Sequence, residues 1–441
     1  MKKNILCITD TLNDFKEITK GYDIYFFPIK QFKPSEHNFP LFESAFQKLS
    51  KSLDLSQIDL ILAEYIEALP IIYFIRRAGY YCPAMLIPHT NAYPLNILIY
   101  FILLRCYAHT EDIILCGSEQ AAFAFKKITD INAKNIATFG IKSDFIPLNR
   151  ALCKEKLQLP KDKKILLYTG RFMNDKGLET LLAIYLMLLK QKQKVQLIVS
   201  TSHIDPIYYN RLAPHTKEVI IFYRLARDKL VKLYNAADVY ISCALSIFET
   251  YGKSPLESLA CGTPVIIPDW DGFPYYMTPE RGYLVKVDFI EDAYASPYQF
   301  ATIDRQDCIG KINTILNTNC RVNTALPNWA YYDYSIQKIK KLIHTLLKKT
   351  ASKKFINELE KNNEMIDRSL FSPGVNAFFK FYEIKNLQDL LLKSNEGIFK
   401  QEMDQSQKEI LKKLHDEIFN AMASYQKKTG RKQKIDVNVL F

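Results

Sequence analysis

One stretch of the sequence, residues 238–268, constrains the fold of this chain more than any other. It begins with a short apolar run that is typical of a buried strand, residues 238–243, and ends with another, residues 265–268. Between these runs the sequence predicts a loop that contains Gly252 and a short helix, which a glycine and a proline end. Strand, loop, helix and strand form one βαβ unit of a parallel sheet, and such sheets bind ligands at the carboxyl ends of their strands.

Two carboxylates flank the predicted start of this helix, Glu249 in the loop and Glu257 in the first turn. Ser254 is the predicted N-cap, and the backbone N–H groups of residues 252–254 can bind an anion at the helix N-terminus. A diphosphate bound there would have one carboxylate on each side, which suits a sugar nucleotide with hydroxyls on both sides of its diphosphate. A capping box formed by Ser254 and Glu257, with Glu249 as a solvated loop charge, is the alternative.

The letters around these carboxylates read FETYGKSPLESLACGTPVI, with seven residues between Glu249 and Glu257. Upstream, residues 168–178 read YTGRFMNDKGL. The two segments resemble the E-x7-E signature and the G-R-x4-K-G loop of retaining GT-B glycosyltransferases of the family 4 type, a group that includes sucrose synthases and mannosyltransferases acting on lipids. The resemblance covers residues 165–287 well and the N-terminal third of the chain only by its general pattern.

This resemblance implies the α/β GT-B fold, two Rossmann-like domains with doubly wound parallel sheets that face a cleft. It also implies a nucleotide-diphosphate sugar as donor, transfer of a hexosyl-type sugar with retention of configuration, and no metal or other cofactor. Arg171 and Lys176 would hold the diphosphate. Glu257 would bind the ribose hydroxyls, and Glu249 the hydroxyls of the transferred sugar. The donor-binding residues implied besides Glu257 are Gly170, Tyr251, Gly252, Lys253 and Ser254.

A candidate histidine lies in the N-terminal third. His89 follows a predicted strand at residues 85–87 and, by this position, resembles the histidine that contacts the donor sugar in related enzymes. The resemblance would add it to the catalytic residues Arg171, Lys176 and Glu249. A loop histidine that caps the following helix is the alternative. No glycine-rich loop follows the first predicted strand, so the sequence leaves the acceptor pocket undefined.

The two cations also have a physical reason to be functional. Arg171 and Lys176 follow a predicted strand and precede a helix, so both can reach a diphosphate, Arg with a planar fork and Lys with a point charge. Cations at a helix start oppose the helix dipole, which favours a binding role over solvated surface charges. Asp269 and Asp271 spell D-x-D, the metal–diphosphate motif of another glycosyltransferase fold. Because the cations already supply the phosphate site, we expect no metal there.

Apolar runs alternate with helical patterns along most of the chain, which predicts two doubly wound parallel sheets. The predicted strands are residues 4–9, 24–27, 60–63, 85–87 and 113–116 in the first sheet and residues 165–169, 195–200, 219–222, 238–243 and 265–268 in the second. We expect three parts: an acceptor-side domain at residues 1–148, a nucleotide-sugar domain at residues 149–330, and a crossover helix with a basic helical extension at residues 331–441.

Two segments depart from the family's pattern. Where members commonly carry F-x-G, this chain has Phe222, Tyr223 and Arg224, and where many have G-G-x-P-E it has DGFPY at residues 271–275. These departures concern the choice of base and the orientation of the sugar. Two alternatives to a transferase therefore stay open: a non-catalytic sugar-nucleotide-binding or scaffold subunit, and a GT-B sugar-nucleotide epimerase.

Charge and cysteine content limit the partners and the compartment. Lys and Arg number 59 against 47 Asp and Glu, so the net charge of +12 favours anionic partners. Nine cysteines without a C-x-x-C pair are typical of reduced thiols in a cytoplasm. The longest apolar run, residues 95–104, is about half a membrane span, so we expect no transmembrane segment. The apolar run at the N-terminus is short and interrupted by polar residues, so we expect no signal peptide.

The C-terminal part carries much of the positive charge. Residues 331–441 have seven more basic than acidic side chains, including a basic cluster at residues 427–434. A solvated helical appendage is one interpretation; a docking surface for a protein partner or for the inner face of a membrane is the other. Nucleic acid is not expected, because aromatic residues are not interleaved with these lysines. The acceptor, whether glycan, lipid-linked or protein, is left open.

Overall fold

The computed structural model describes residues 2–10, 15–29, 39–90, 95–129, 131–135, 140–246, 249–289, 301–318, 321–323, 325–349 and 365–395, and also residues 405, 406, 409, 410, 412, 413 and 417. The chain divides into two compact units, the first from residues 1–139 and 335–437 and the second from residues 140–334 and 438–441. The basic cluster at residues 427–434, for which a solvated appendage and a docking surface are the two interpretations, lies outside the described residues.

The first unit contains a parallel sheet with the strand order β2-β1-β3-β4-β5-β6. Its strands are β1 (Asn4–Ile8), β2 (Asp23–Phe27), β3 (Leu60–Glu64), β4 (Ala84–Ile87), β5 (Ile113–Cys116) and β6 (Asn132–Asn135). The helices between them are α1 (Phe39–Ser52), α2 (Ala68–Arg77), α3 (Leu95–Cys106) and α4 (Glu119–Thr129). The five predicted strands are confirmed. The sixth, β6, was missed because its sequence, NAKN, has no apolar run.

The second unit contains a parallel sheet with the order β12-β11-β10-β7-β8-β9. Its strands are β7 (Lys164–Thr169), β8 (Val195–Thr201), β9 (Ile220–Tyr223), β10 (Val239–Ile241), β11 (Val265–Pro268) and β12 (Gly282–Val285), and a separate antiparallel pair follows, β13 (Val287–Phe289) and β14 (Ala301–Ile303). The helices are α5 (Arg150–Lys156), α6 (Leu178–Lys190), α7 (Pro206–Leu212), α8 (Arg227–Ala236), α9 (Lys253–Ala260) and α10 (Arg305–Thr318). All residues of β8, β10 and β11 are buried, as the apolar runs predict.

Each sheet reverses its strand order at one point. In the first sheet β2 and β3 lie on opposite sides of β1, so the reversal falls between β1 and β3. In the second sheet β8 and β10 lie on opposite sides of β7, so it falls between β7 and β10. The carboxyl ends of parallel strands leave a crevice at such a switch point, which is where open α/β sheets bind ligands.

The C-terminal part is helical where it is described: α11 (Tyr332–Lys349), α12 (Pro373–Phe381) and α13 (Leu387–Asn395). Helix α12 begins with a clear local signal, because Ser372 is its N-cap and Pro373 takes the first helical position. Among the described residues, none of the helices combines the length and the apolar character needed to cross a bilayer.

Candidate active site

The loop after β7 is shaped by a glycine. Gly177, the last residue of the G-R-x4-K-G segment, has a φ of 66°, in the left-handed region. A Cβ at this position would lie 2.0 Å from the carbonyl oxygen of Cys243, which follows β10. Only glycine therefore allows the β7 loop to close against the end of the neighbouring strand. This contact places Lys176 beside the loop that follows β10.

The loop after β10 packs against an aromatic segment that follows β11. The indole N–H of Trp270 donates to the Ser246 carbonyl at 3.2 Å, and the Glu249 N–H donates to the same carbonyl at 3.1 Å. Gly252 has a φ of 73°, and a Cβ there would lie 2.3 Å from the ring of Phe273. The absence of a side chain at Gly252 thus lets the loop pack on Phe273 and fixes the course of the backbone that carries Glu249.

These two loops bring opposite charges together at the switch point. Lys176 Nζ lies 2.7 Å from Glu249 Oε2 and 3.5 Å from Asp175 Oδ2, and Arg171 Nη2 donates to the same Asp175 oxygen at 2.9 Å. We call Arg171, Asp175, Lys176 and Glu249 the charge cluster. Three of its members were predicted as site residues, and the structure brings them together. Asp175 was missed, although an acid four residues after Arg171 is a recognisable pairing signal.

The members of the charge cluster differ in exposure. Side-chain exposure is 47% for Arg171, 15% for Lys176 and 3% for Asp175. Burial by itself would lower the pKa of Lys176, but Glu249 and Asp175 outweigh it and raise that pKa above its ordinary value, so Lys176 stays charged. Oδ1 of Asp175 has no hydrogen-bond partner in the described part of the chain. Two cations balance two carboxylates, and Arg171 is the cation that solvent reaches.

Glu257 belongs to a second polar network on the same sheet. Its Oε2 accepts a hydrogen bond from the Tyr234 hydroxyl at 2.7 Å, and that hydroxyl also bonds the side chain of Thr169, the last residue of β7. Burial raises the pKa of Glu257 to about 7, although the bond from Tyr234 opposes the shift. The sequence holds no local signal for Tyr234, which lies in α8.

The start of α9 differs from the prediction. Gly252 is the N-cap, in a left-handed conformation, and the helix begins at Lys253, so the prediction of Ser254 as N-cap is wrong. A capping box would need Ser254 at the N-cap position, so Ser254 and Glu257 do not form one. The first N–H groups of a helix have no partner inside it, and here they belong to Lys253 and Ser254, because Pro255 has no backbone N–H. An anion at this N-terminus would receive backbone N–H donors, as an anion site at a helix start requires.

Two further residues predicted to bind the donor have clear structural contacts. The Gly170 N–H donates to the Ser200 carbonyl of β8 at 3.0 Å. Tyr251 is buried, its ring contacts Trp329, and its hydroxyl donates to the Ala330 carbonyl at 3.3 Å. Tyr251 therefore anchors the β10 loop to the segment that precedes α11, and its hydroxyl hydrogen-bonds a backbone carbonyl of the same unit.

The two departures from the family's pattern keep the backbone that glycine usually provides. Arg224 occupies the glycine position of F-x-G and has a φ of 52°, and Asp271 occupies the first glycine position of G-G-x-P-E and has a φ of 42°. Left-handed conformations cost about 1–2 kcal/mol for most side chains and less for Asp. The guanidinium of Arg224 lies 5.0 Å from the centroid of the Tyr223 ring.

The D-x-D segment was predicted not to be a metal site. Asp269 follows β11, and burial raises its pKa. In the ranges that the structure describes, no group of three or more His, Cys, Asp or Glu side chains is placed to hold a metal ion. Asp271 has the left-handed backbone noted above and is buried.

His89 lies in the first unit, at the carboxyl end of its own sheet. It follows β4 and has a φ of 53°, and its Nε2 lies 2.8 Å from Oε1 of Glu64, the last residue of β3. The other oxygen of Glu64 accepts a hydrogen bond from the Thr9 hydroxyl. The prediction of a helix-capping histidine cannot be compared, because residues 91–94 lie outside the described residues. Glu64 was missed because its partners come from neighbouring strands, and no short sequence pattern marks that arrangement.

Residues 149–296 match the protein family described as "Glycosyl transferases group 1". The chain is 30% identical over 185 residues to an alpha-monoglucosyldiacylglycerol synthase of Streptococcus pneumoniae, a match that covers 39% of this chain and 40% of the relative. It is 26% identical over 170 residues to D-inositol 3-phosphate glycosyltransferase 2 of Catenulispora acidiphila, covering 35% of this chain and 39% of that relative. The chain thus spans about two fifths of the length of these curated relatives.

Solved structures share the fold at low identity. A sucrose-phosphate synthase from Thermosynechococcus elongatus is 18% identical, with a TM-score of 0.55, and the match covers 78% of this chain and 95% of that one. HepE from Anabaena, in complex with UDP and glucose, is 16% identical, with a TM-score of 0.55, and the match covers 79% and 100%. The two parallel sheets have the α/β fold of GT-B glycosyltransferases, and residues 149–296 are similar to the group 1 glycosyl transferase family.

Proposed function

We propose that this protein transfers a sugar from a nucleotide-diphosphate sugar to an acceptor, with retention of configuration and without a metal. The charge cluster carries the proposal. Two loops that are far apart in the sequence bring Arg171, Lys176 and Glu249 to the β7/β10 switch point, where an α/β sheet binds its ligands. The same three residues are the ones that the resemblance assigns to the diphosphate and the transferred sugar.

The cations suit a leaving diphosphate. Its negative charge grows as the glycosidic bond breaks, so preorganised cations stabilise the transition state more than the ground state. Arg171 is half-exposed and can turn its planar fork toward a phosphate, whereas buried Lys176 supplies a fixed charge. The N–H groups at the start of α9 add neutral donors.

The carboxylates and the histidine would bind hydroxyl groups. Glu257 would accept hydrogen bonds from the ribose hydroxyls, and Tyr234 already holds its carboxyl group in place. Glu249, fixed by Lys176, would bind the hydroxyls of the transferred sugar. His89 is the candidate of the first unit for a contact with that sugar. UDP-glucose is the donor to test first, because HepE was solved with UDP and glucose.

The experiment has two steps. Thermal stabilisation of the full chain by a panel of nucleotide sugars identifies the donor, and release of nucleoside diphosphate is then measured with and without acceptors. The acceptor panel includes diacylglycerol glycolipids and an inositol phosphate, the groups in the names of the two relatives. Acceptor-dependent release, an unchanged anomeric configuration in the product and full activity in chelator are the expected results.

Other outcomes would replace the proposal. Stabilisation by a nucleotide sugar without release under any condition would indicate a binding or scaffold subunit. Conversion of the donor without an acceptor and without release would indicate an epimerase. Activity that chelator abolishes and Mn²⁺ or Mg²⁺ restores would contradict the metal-free mechanism and make Asp269 and Asp271 candidate ligands.

A further inference from the structure

One carboxylate joins three neighbouring strand ends of the first sheet. Glu64 ends β3, accepts a hydrogen bond from the Thr9 hydroxyl just after β1, and lies 2.8 Å from Nε2 of His89 just after β4. Because the strand order is β1-β3-β4, Glu64 is the middle member. Its side chain is only 7% exposed. We call Thr9, Glu64 and His89 the strand-end triad; it lies at the switch point of the first sheet.

The backbone around the strand-end triad is strained. His89 and Tyr65 both have positive φ, 53° and 66°, and their ring centroids lie 5.0 Å apart. A left-handed backbone costs about 1–2 kcal/mol of stability for each non-glycine residue. Such strained residues persist where the surrounding structure holds them in place, and they are concentrated at functional sites. Here the left-handed backbone at Tyr65 and His89 accompanies the placement of the imidazole against Glu64.

The chemistry of Glu64 fixes the proton on the imidazole. A carboxylate accepts hydrogen bonds and donates none, so both neighbours must donate to it, Thr9 through its hydroxyl and His89 through Nε2–H. In a neutral imidazole Nδ1 is then an acceptor. Within the described ranges, Nδ1 of His89 has no hydrogen-bond partner, and the side chain is 30% exposed. It is therefore able to accept a hydrogen bond from a ligand's hydroxyl.

We propose that Glu64 is a positioning residue that holds His89 through Nε2, so that Nδ1 accepts a hydrogen bond from a substrate hydroxyl. Thr9 supports it by holding the second carboxylate oxygen. Which substrate carries the hydroxyl rests on the proposed function, whereas the control of His89 by Glu64 does not.

The alternative is that Glu64 only ties β1, β3 and β4 together. The chain offers a matched control for that role at the opposite end of β3. Asp59, just before β3, accepts hydrogen bonds from Lys3 Nζ and from the Asn4 N–H, both at 2.9 Å, and so also ties β3 to β1. Asp59→Asn weakens a tie between the same strands without touching the strand-end triad.

The test uses the full chain with Glu64→Gln, Thr9→Val, His89→Gln, the double variant Glu64→Gln/His89→Gln, and Asp59→Asn. Glutamine keeps the size of Glu64 but presents an amide that can donate, so the proton on His89 is no longer dictated. We expect kcat/KM to fall roughly 10- to 100-fold in Glu64→Gln, as loss of an orienting partner typically does. We expect a smaller loss in Thr9→Val, and Asp59→Asn within about twofold of wild type.

Two readouts separate positioning from structure. If Glu64 acts only through His89, the double variant is no slower than His89→Gln alone. In protein labelled with ¹⁵N-histidine and measured at alkaline pH, so that neutral imidazole is observed, the Nδ1 resonance of His89 should be that of an unprotonated nitrogen in wild type and should move toward the protonated range in Glu64→Gln. The His89 signals are assigned by their loss in His89→Gln.

Additive losses in the double variant, an equal loss in Asp59→Asn, or unchanged His89 resonances in Glu64→Gln would each overturn the proposal. If wild-type protein turns over no nucleotide sugar, the proposed function fails by itself. In that case the His89 resonances alone decide whether Glu64 controls the imidazole.

Discussion

The two sheets carry polar groups at equivalent places but of different character. At the β7/β10 switch point of the second unit, the charge cluster pairs two cations with two carboxylates, so its formal charge is zero. At the β1/β3 switch point of the first unit, Glu64 pairs with a histidine and a hydroxyl. Cations suit phosphates and carboxylate–histidine pairs suit hydroxyls, so the two edges differ in the chemical groups that they can bind.

The two edges also differ in how the chain builds them. The charge cluster takes three members from one loop of six residues, Arg171 to Lys176, and one from another. The strand-end triad takes its members from three strand ends that are 25 and 55 residues apart. A short loop leaves a sequence signature, whereas residues collected by strand order do not.

The largest expected difference lies within the charge cluster. Lys176→Ala leaves the largely buried Glu249 without its cation and Asp175 with Arg171 alone, so we expect a loss of about 3 kcal/mol in the free energy of unfolding as well as a loss of turnover. Arg171→Ala removes a half-exposed partner and should cost less than about 1 kcal/mol. Both should lower turnover by about 100-fold. Chemical denaturation measures the free energy of unfolding, and initial rates measure turnover. Equal losses of stability in the two variants would contradict the lower exposure of Lys176 relative to Arg171.

One partly exposed acid in each unit, Glu67 and Glu257, predicts a matched dependence on pH. Burial raises the pKa of Glu257 and of Glu67 to about 7, from an ordinary value of 4.5. As pH rises from 4.5 to 7 the unfolded chain ionises first, so the wild-type fold loses stability on the order of a few kcal/mol for each group. Glu257→Gln and Glu67→Gln should therefore gain stability relative to wild type across this window. Denaturation at pH 4.5, 6 and 8 tests it, with exposed Glu179→Gln as the control.

Glu257 and Glu67 also differ in their hydrogen-bond partners. The carboxyl group of Glu257 is bonded to Tyr234, while Oε2 of Glu67 has no hydrogen-bond partner in the described part of the chain. We expect Glu257→Gln to weaken binding of the donor, because Glu257 is proposed to hold the ribose. If Glu257→Gln binds the donor as tightly as wild type does, the ribose assignment is wrong.

A substitution at Asp175 changes the net charge of the charge cluster. Asp175→Asn keeps the shape of a buried side chain and leaves one net positive charge near the proposed diphosphate position. We expect a nucleoside diphosphate to bind roughly three- to tenfold tighter. Calorimetric titration measures it, with Glu179→Gln, an exposed acid at the start of α6, as the matched control. Weaker binding would show that Asp175 acts mainly by orienting Arg171.

The smallest effect concerns the left-handed residues. Arg224→Gly should raise the free energy of unfolding by about 0.5–1 kcal/mol, because glycine adopts a φ of 52° without strain and the lost contacts of Arg224 are exposed. Asp271→Gly should gain less, because Asp tolerates this conformation better. If Arg224→Gly is destabilising instead, its packing on Tyr223 outweighs the backbone strain.

The alternation of apolar runs was enough to predict most strands of both sheets, because buried parallel strands are continuously apolar. Polar β6 could not be found that way. The proximity of Arg171 and Lys176 was predictable because their spacing is local. Ser254 was misjudged as N-cap because the left-handed backbone of Gly252, set by contact with Phe273, moves the helix start. Glu64 depends on strand order, which no short pattern specifies.

The central claim is that the charge cluster binds the diphosphate of a nucleotide sugar. Binding of the donor nucleotide's diphosphate form to wild type and to Arg171→Ala, measured by calorimetry at fixed salt, tests it without requiring an acceptor. We predict saturable one-site binding to wild type and binding at least about tenfold weaker to Arg171→Ala, with the fold retained. Equal affinity in the two proteins, or no binding to wild type of any nucleoside diphosphate, would contradict the account.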